Sequence, residues 1–296
     1  MSEIFGFDAF SPKEIAARVE TIGVVKARLP LVPMLMLSVL AGAFIGLGAL
    51  YFVIVKSDPH LGFAARQVLG GVTFSLGLIL VIVAGAELFT GNNLQAMAWA
   101  DGKISTGELL RNWAIVCFGN LIGAVGLALL VFLSRHPEMN NGLIAQEYLK
   151  IAAAKVVMPF WTAFFKGVLC NVLVCMAVWM ALAGRSVIDK AVAIVFPISA
   201  FVAAGFEHSI ANMFFIPLAM LLQNFGNGAA HAAAITWAGF FGNLVPVILG
   251  NIVGGSVLVG LVYHLIYRRM PDHVAQDKAA AVEKERADSN ETSDGR

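Results

Sequence analysis

Charged residues are scarce in this 296-residue chain. Asp, Glu, Lys and Arg together make up 13% of it, against about 25% in soluble domains. The formal net charge is only +1, which excludes nucleic acid as a partner, because phosphate binding needs clustered Lys and Arg. Hydrophobic residues make up 59% of the chain. The composition therefore predicts an all-α integral membrane protein in contact with lipid.

Cysteine and metal-ligand patterns are also sparse. The three cysteines, Cys117, Cys170 and Cys175, lie in apolar stretches without CxxC or Cys/His spacing, so we expect neither a metal nor a cofactor. The first ten residues contain acidic side chains, and no long apolar region follows before Leu31. This is not the pattern of a signal peptide, and we expect the mature helices to direct insertion.

Long hydrophobic runs are abundant, and a run of about 20 apolar residues can cross a bilayer as a helix. Six candidate spans are present: Leu31–Val55, Val68–Phe89, Trp113–Leu133, Val156–Ala183, Ala191–Leu222 and Trp237–Tyr267. They predict a transmembrane domain over residues 31–268, between an amphipathic segment (1–30) and a charged tail (269–296). Lys and Arg concentrate at the ends of the spans on the membrane side that carries the N-terminus, which predicts that both termini are cytoplasmic. We expect the membrane to be the bacterial inner membrane.

An internal repeat accompanies the spans. The sequence FGNLIGA (118–124) in the third span resembles FGNLVPV (241–247) in the sixth. Two consecutive halves of three spans must cross the membrane in opposite directions, which predicts an inverted three-helix repeat with its binding site near the midplane.

Polar residues interrupt the second and fifth spans, in AGAELFTGNNL (84–94) and AAGFEHSIANMFFIP (203–217). We expect helix 2 to break at Thr90–Asn93, since Gly and Asn are poor helix formers, and helix 5 to break near His208. Broken backbone at this depth must face protein or water. Glu87 and Glu207 could bond this backbone or line a pore. His208 could stabilise an anion either as a neutral donor or as a cation.

Other polar residues are ambiguous at this stage. Lys155 and Lys166, eleven residues apart, could share one helical face and attract anions at the extracytoplasmic entrance, or could snorkel to the interface. Asn171 could line a pore or bond another helix. Large apolar residues flank the polar centre and could either pack or form constrictions: Phe74, Leu78, Leu88, Phe89, Phe201 and Phe206.

Three classes of function fit a polar membrane centre. The first is pH-dependent transport of a small anion. The second is an uncharged-solute channel, but the paired NPA loops and the filter arginine of that class are missing. The third is an intramembrane enzyme using Glu207 and His208. Adjacent helical residues point about 100° apart and no HExxH motif accompanies them, so we expect no enzyme.

The ordered motifs AGAELFTGNN, FGNLIGA, NVLVCMAVWMA, GRSVIDKA, FEHSIANMFFIP and GNLVPVILGNIVGG resemble the formate/nitrite transporter family between Ala16 and Arg268. The resemblance implies an aquaporin-like fold with helices 2 and 5 broken, a homopentamer, and one pore in each protomer. It implies formate as substrate, with nitrite or hydrosulfide as alternatives and protons as possible companions. The TGNN sequence after Phe89 resembles the formate-transporting branches more than the nitrite-type TGHT loop, and it departs from the TST loop of enterobacterial formate channels.

The resemblance also assigns residues. It implies a pore lined by His208, Thr90, Asn171, Asn212, Glu207 and Lys155. It implies constrictions formed by Phe74, Leu78, Leu88 and Phe201.

Overall fold

The computed structural model describes residues 9–226 and 234–269. These residues are helical, with short turns and one isolated bridge between Ala9 and Gly184. Ten helical elements, some built from consecutive segments, follow in chain order: α1 (Pro12–Ala27), α2 (Leu31–Lys56), α3 (Phe63–Gly85), α4 (89–100), α5 (Thr106–Leu133), α6 (Leu143–Val156), α7 (Phe160–Ala183), α8 (Val187–Ala203), α9 (Ser209–Phe225) and α10 (Trp237–Arg268).

Five of these helices, α2, α3, α5, α7 and α10, are long and apolar enough to cross a membrane. The fifth predicted span is divided near His208 as expected, into two helices, α8 and α9, of 17 residues each. The second predicted span is also divided, but not at Thr90–Asn93 as expected. Helix α3 ends at Gly85, the chain is extended at residues 86–88, and α4 begins at Phe89. The Thr-Gly-Asn-Asn sequence therefore starts the second half-helix, because its polar groups find buried partners there.

The fourth predicted span also differs from the structure. Helix α6 ends at Val156 and α7 begins only at Phe160, after Pro159, whose ring cannot continue the preceding helix. Lys155 and Lys166 consequently lie on different helices. The expectation that they share one helical face was wrong.

Close backbone contacts hold the spanning helices together in two matching pairs. A Cβ added at Gly123 of α5 would lie 1.9 Å from the carbonyl oxygen of Val39 in α2. A Cβ added at Gly250 of α10 would lie 2.2 Å from the carbonyl oxygen of Phe164 in α7. Only glycine permits these approaches, which is the usual basis of small-residue packing between membrane helices.

Helix α1 packs against this bundle. Ser11 and Glu14 form a capping box at its start, and Ile15 and Val19 are buried in a cluster that includes Trp179 of α7. A division of the chain at residue 30 stays a prediction. The predicted tail lies outside the described residues except for Arg269.

One buried carboxylate anchors α1 to the turn before α5 and to the end of α10. Glu20 is 1% exposed and accepts hydrogen bonds from Lys103 at 2.6 Å and Arg268 at 2.9 Å. The carboxylates of Asp101 and Glu20 raise the pKa of Lys103, as expected for an ammonium group that is hydrogen-bonded to both.

Candidate functional site

The two helix breaks have the same backbone geometry. Gly85 and Gly205 adopt left-handed φ angles of 86° and 70°, which end α3 and α8 in the manner that favours glycine. After each of these glycines, the backbone continues without helix up to the residue that caps the next helix. These caps are Leu88, with φ −107° and ψ 122°, and His208, with φ −106° and ψ 115°. The breaks are therefore two copies of one local structure.

A buried asparagine satisfies the backbone of the first break. The Asn120 side chain accepts a hydrogen bond from the Phe89 N–H at 2.9 Å. Its amide nitrogen donates to the carbonyl of Glu87 at 2.9 Å and to that of Ser38 at 2.7 Å. Such bonds are needed because an unpaired backbone group in a membrane costs several kcal/mol.

Asn251 repeats this arrangement at the second break. Its side chain accepts from the Ser209 N–H at 3.1 Å and donates to the carbonyl of Glu207 at 3.1 Å and to that of Gly167 at 2.9 Å. The counterpart of Asn120 is therefore Asn251. The predicted repeat existed, but pairing residues 118–124 with 241–247 placed it eight residues too early. The matching segments are 119–124 and 250–255.

An ion pair supports the first break. The Glu87 carboxylate lies 2.9 Å from the ammonium of Lys26 in α1 and accepts from Asn92 at 2.7 Å. Asn112 completes the group: its oxygen accepts from Asn92 at 3.0 Å, and its amide nitrogen donates to the Lys26 carbonyl at 3.0 Å.

The second break has the same support. The two Glu207 oxygens accept from Lys155 at 2.8 and 2.9 Å, and Asn212 donates to Glu207 at 2.7 Å. Asn243 accepts from Asn212 at 2.7 Å and donates to the Lys155 carbonyl at 3.1 Å. The predicted residues Glu207, Lys155 and Asn212 thus form one group, and both glutamates bond within the protein.

His208 and Thr90 join the two breaks. Their side chains are 3.1 Å apart, from Nε2 to Oγ1, and the two residues are 3% and 0% exposed. The Nδ1 atom of His208 accepts the Ala211 N–H at 3.2 Å, so a neutral ring carries its proton on Nε2 and donates to Thr90. The hydroxyl proton of Thr90 is then available to another acceptor.

Two cavities lie near this contact, one lined by His208 itself and the other by Leu88 and Gly91, on either side of Thr90 in the sequence. One of about 320 Å³, here named the lysine cavity, includes Lys56, Lys150, Lys155, Lys166 and His208 in its lining. The other, of about 100 Å³, is named the α1 cavity, and its lining includes Val19, Ile22 and Lys26.

Four buried apolar residues line the two cavities near this contact. Phe74 and Phe201 line the lysine cavity with ring centroids 5.8 Å apart, and Phe201 stacks on His208 at 5.9 Å. Leu78 and Leu88 line the α1 cavity. All four are at most 4% exposed. The four residues that the resemblance assigns to constrictions thus divide between the two cavities, and their role as constrictions stays a prediction.

The comparisons with known proteins agree with this architecture. The family model described as Formate/nitrite transporter matches residues 13–265. The chain belongs to the formate/nitrite transporter family. The resemblance in its sequence motifs is thereby confirmed, as is the expectation of a multi-pass, all-helical membrane protein.

Relatives in this family match nearly the full chain. Formate channel FocA of Escherichia coli K12 is 41% identical, with 90% of this chain and 98% of the relative covered. The probable formate transporter of Methanothermobacter thermautotrophicus is 39% identical, with 87% and 97% covered.

Two solved structures of the family are similar to the model. One, described as a pentameric formate channel with formate bound, is 41% identical with a TM-score of 0.75, and covers 80% of this chain and 97% of its own. An FNT family ion channel is 34% identical with a TM-score of 0.77, and covers 87% and 99%.

Asn171 is buried outside both described cavities. It is fully buried and is absent from the lining of both cavities. Its amide nitrogen lies 3.2 Å from the Thr90 carbonyl, 2.8 Å from Asn93 Oδ1 and 2.7 Å from the Asn251 carbonyl. Of the two interpretations of Asn171, these contacts favour bonding between helices, and a role in lining a pore stays a prediction.

Sequence reasoning missed Lys26, Asn112 and Asn251 as members of the site. One signal could have found the asparagines, because Asn112 and Asn120 in α5 have the same eight-residue spacing as Asn243 and Asn251 in α10. Lys26 gave no such signal, since its partner Glu87 is far away in sequence and only the fold of α1 brings them together.

Proposed function

We propose that this protein is a channel for small monovalent anions, with formate as its main substrate. The observation that carries the proposal is the buried His208–Thr90 contact between two cavities. The names of the relatives support it, since they include formate channels at 41% identity and a structure with formate bound.

Hydrogen-bond donors at the His208–Thr90 contact would allow an anion to pass between the cavities. An anion leaving the lysine cavity passes Phe74 and Phe201, where apolar rings oppose a full hydration shell. At His208 it meets the free hydroxyl proton of Thr90 and, on displacing the Thr90 oxygen, the Nε2–H group as well, and these donors replace part of the lost water. Helix α9 begins beside this point, and its N-terminal end adds a positive partial charge. The anion then passes Leu78 and Leu88 to the α1 cavity.

The hydrogen bonds favour a neutral His208 in the resting channel. A proton on Nδ1 would remove the acceptor of the Ala211 N–H and set two donors against each other. We therefore propose that His208 stays neutral in the resting channel and takes up a proton only together with the anion. Protons would then accompany formate as the neutral acid or through the ring.

The same proposal covers assembly and location. Because both cavities and the His208–Thr90 contact belong to a single protomer, a homopentamer would hold five separate pores in the bacterial inner membrane, with lipid around it and both termini in the cytoplasm. Chemical conversion of the substrate is not part of the proposal, because the Glu207 carboxylate is occupied by Lys155 and Asn212 and cannot serve His208 as a base. Nitrite and hydrosulfide are the alternative substrates.

Uptake of labelled formate by proteoliposomes tests the function, from about pH 5 to about pH 8, across the range in which histidine ordinarily titrates. We expect wild-type uptake and a decrease of about tenfold in His208→Ala, as for the loss of about 1.4 kcal/mol of transition-state stabilisation. His60→Ala, at an exposed loop histidine, is the matched control.

The outcomes separate the alternatives. Equal formate uptake by wild type and His208→Ala would refute the histidine mechanism. Water or glycerol uptake without anion uptake would favour an uncharged-solute channel, and faster nitrite or hydrosulfide uptake would replace formate as the main substrate.

A further inference from the structure

The lysine cavity carries an excess of positive charge. Four ammonium groups face two carboxylates across it, those of Lys56, Lys150, Lys155 and Lys166 against Glu147 and Glu207. This excess would attract an anion before it reaches the aromatic constriction. Which lysine receives the anion depends on which ammonium groups are already paired.

Two of the four lysines have carboxylate partners. Lys155 is bound by both oxygens of Glu207, and its side chain is only 13% exposed. Lys150 lies 3.8 Å from a carboxylate oxygen of Glu147. Within residues 9–226 and 234–269, neither Lys56 nor Lys166 has a carboxylate within ion-pairing distance, so the excess charge lies on these two.

Lys56 differs from Lys166 because a neutral amide holds it in place. Its ammonium group donates a hydrogen bond to the Gln67 side-chain oxygen. The amide nitrogen of Gln67 in turn donates to the Ala203 carbonyl at 2.7 Å, at the end of α8. Gln67 takes one of the three ammonium donors and leaves two. A preorganised cation with free donors is suited to a small carboxylate.

The position of Lys56 leads directly to the constriction. Its ammonium lies 5.8 Å from the ring centroid of Phe52, which contacts Phe74 edge to face at 6.3 Å. Phe74 contacts Phe201 in the same way, and Phe201 stacks on His208. An anion at Lys56 is therefore separated from the constriction by one aromatic side chain.

We propose that Lys56, held by Gln67, forms an anion-binding subsite for small monocarboxylates at the outer side of the Phe74–Phe201 constriction. This inference rests on the proposed anion-channel function and deepens it. Lys155 holds the second helix break, and Lys56 receives the incoming anion.

Initial rates of formate uptake against formate concentration test the subsite, in proteoliposomes at constant ionic strength. We expect Lys56→Met to raise the half-saturating concentration about fivefold, as for loss of one charge-assisted hydrogen bond. The maximal rate should stay close to that of wild type. Lys166→Met removes the same charge from the same cavity and is the matched control, with an expected change of less than about twofold.

A second variant retains Lys56 but pairs its ammonium group with a carboxylate. Gln67→Glu places a carboxylate against the ammonium group, and we expect the same increase in half-saturating concentration. Size-exclusion chromatography checks assembly, and if Lys56→Met does not assemble, Gln67→Glu decides the question.

Each result has a defined meaning. Absence of formate uptake in wild type would reject the proposed function itself. Wild-type uptake with an unchanged half-saturating concentration in the variants would reject only the subsite. Equal increases in Lys56→Met and Lys166→Met would also reject it, because they would show a general effect of cavity charge.

Discussion

The buried ion pair at the second helix break gives a quantitative prediction about stability. Glu207→Gln keeps the shape of the side chain and removes its charge. The Lys155 ammonium, now 2.8 and 2.9 Å from two carboxylate oxygens, would then face a neutral amide. We expect the variant to be less stable than wild type, because a buried cation loses its countercharge.

The magnitude follows from distance and burial. At 2.8 Å and an effective dielectric constant of about 20, the Coulomb attraction is about 6 kcal/mol. Desolvation offsets much of this attraction, and removing one partner of a buried pair typically costs about 3–5 kcal/mol. Glutamine can still bond Asn212 and accept from Lys155, so we expect a loss of about 3 kcal/mol in the free energy of unfolding, at the lower end of that range.

The first break supplies a matched control. Glu87→Gln makes the same change against Lys26, whose side chain is 28% exposed, compared with 13% for Lys155. Water can solvate the unpaired ammonium group of Lys26 more easily, so we expect the free energy of unfolding to fall by only about 1 kcal/mol. Denaturant unfolding of the purified protein in detergent, followed by tryptophan fluorescence, measures both variants.

A double variant tests the cause. Glu207→Gln combined with Lys155→Met should be more stable than Glu207→Gln alone, because no charge is left unpaired. A double variant whose loss equals the sum of the single losses would refute the ion-pair explanation, as would a Glu207→Gln variant as stable as wild type.

Two further predictions concern the junction and the helix packing. Thr90→Val lacks the hydroxyl beside His208 and should lower formate uptake by proteoliposomes about tenfold. Thr90→Ser keeps the hydroxyl and should take up formate at the wild-type rate. Wild-type uptake by the valine variant would exclude a role for the hydroxyl. Gly123→Ala should reduce the melting temperature measured by fluorescence, because its Cβ would lie 1.9 Å from the Val39 carbonyl oxygen. Gly126→Ala should melt like wild type, because its added Cβ would meet no atom of another helix within 4 Å in the described part of the chain. Equal melting temperatures of the two variants would contradict the explanation by packing.

Hydrophobic length and local polarity predicted much of the architecture. The apolar runs located the spanning helices, and the rare polar residues within them located the two broken regions. Poor helix propensity alone places this break at Thr90–Asn93, but it lies at residues 86–88. In the structure, Gly85 supplies the left-handed residue and Asn120 supplies the bonds, so tertiary contacts determine where the helix stops.

The candidate site was harder to predict because its contacts are distant in sequence. His208 and Thr90 could each be named, but their 3.1 Å contact joins residues 118 positions apart. Lys155 was expected to face incoming anions, and only the fold shows that Glu207 already binds it. Pairing with the nearest similar motif also misaligned the repeat, since bonding partners rather than sequence letters identify Asn251 as the counterpart of Asn120.

The equivalence of Lys26 and Lys155 extends the duplicated unit beyond the spanning helices. Both lysines lie one residue before the end of their helices, α1 and α6, and both pair with a glutamate at a break. Helix α1 is thus the first member of its half, as α6 is of the other. Deleting the N-terminal residues to ask whether they plug the channel would also strip Glu87 of its countercharge. A changed conductance in such a truncated protein would therefore report a damaged interior as readily as an opened entrance.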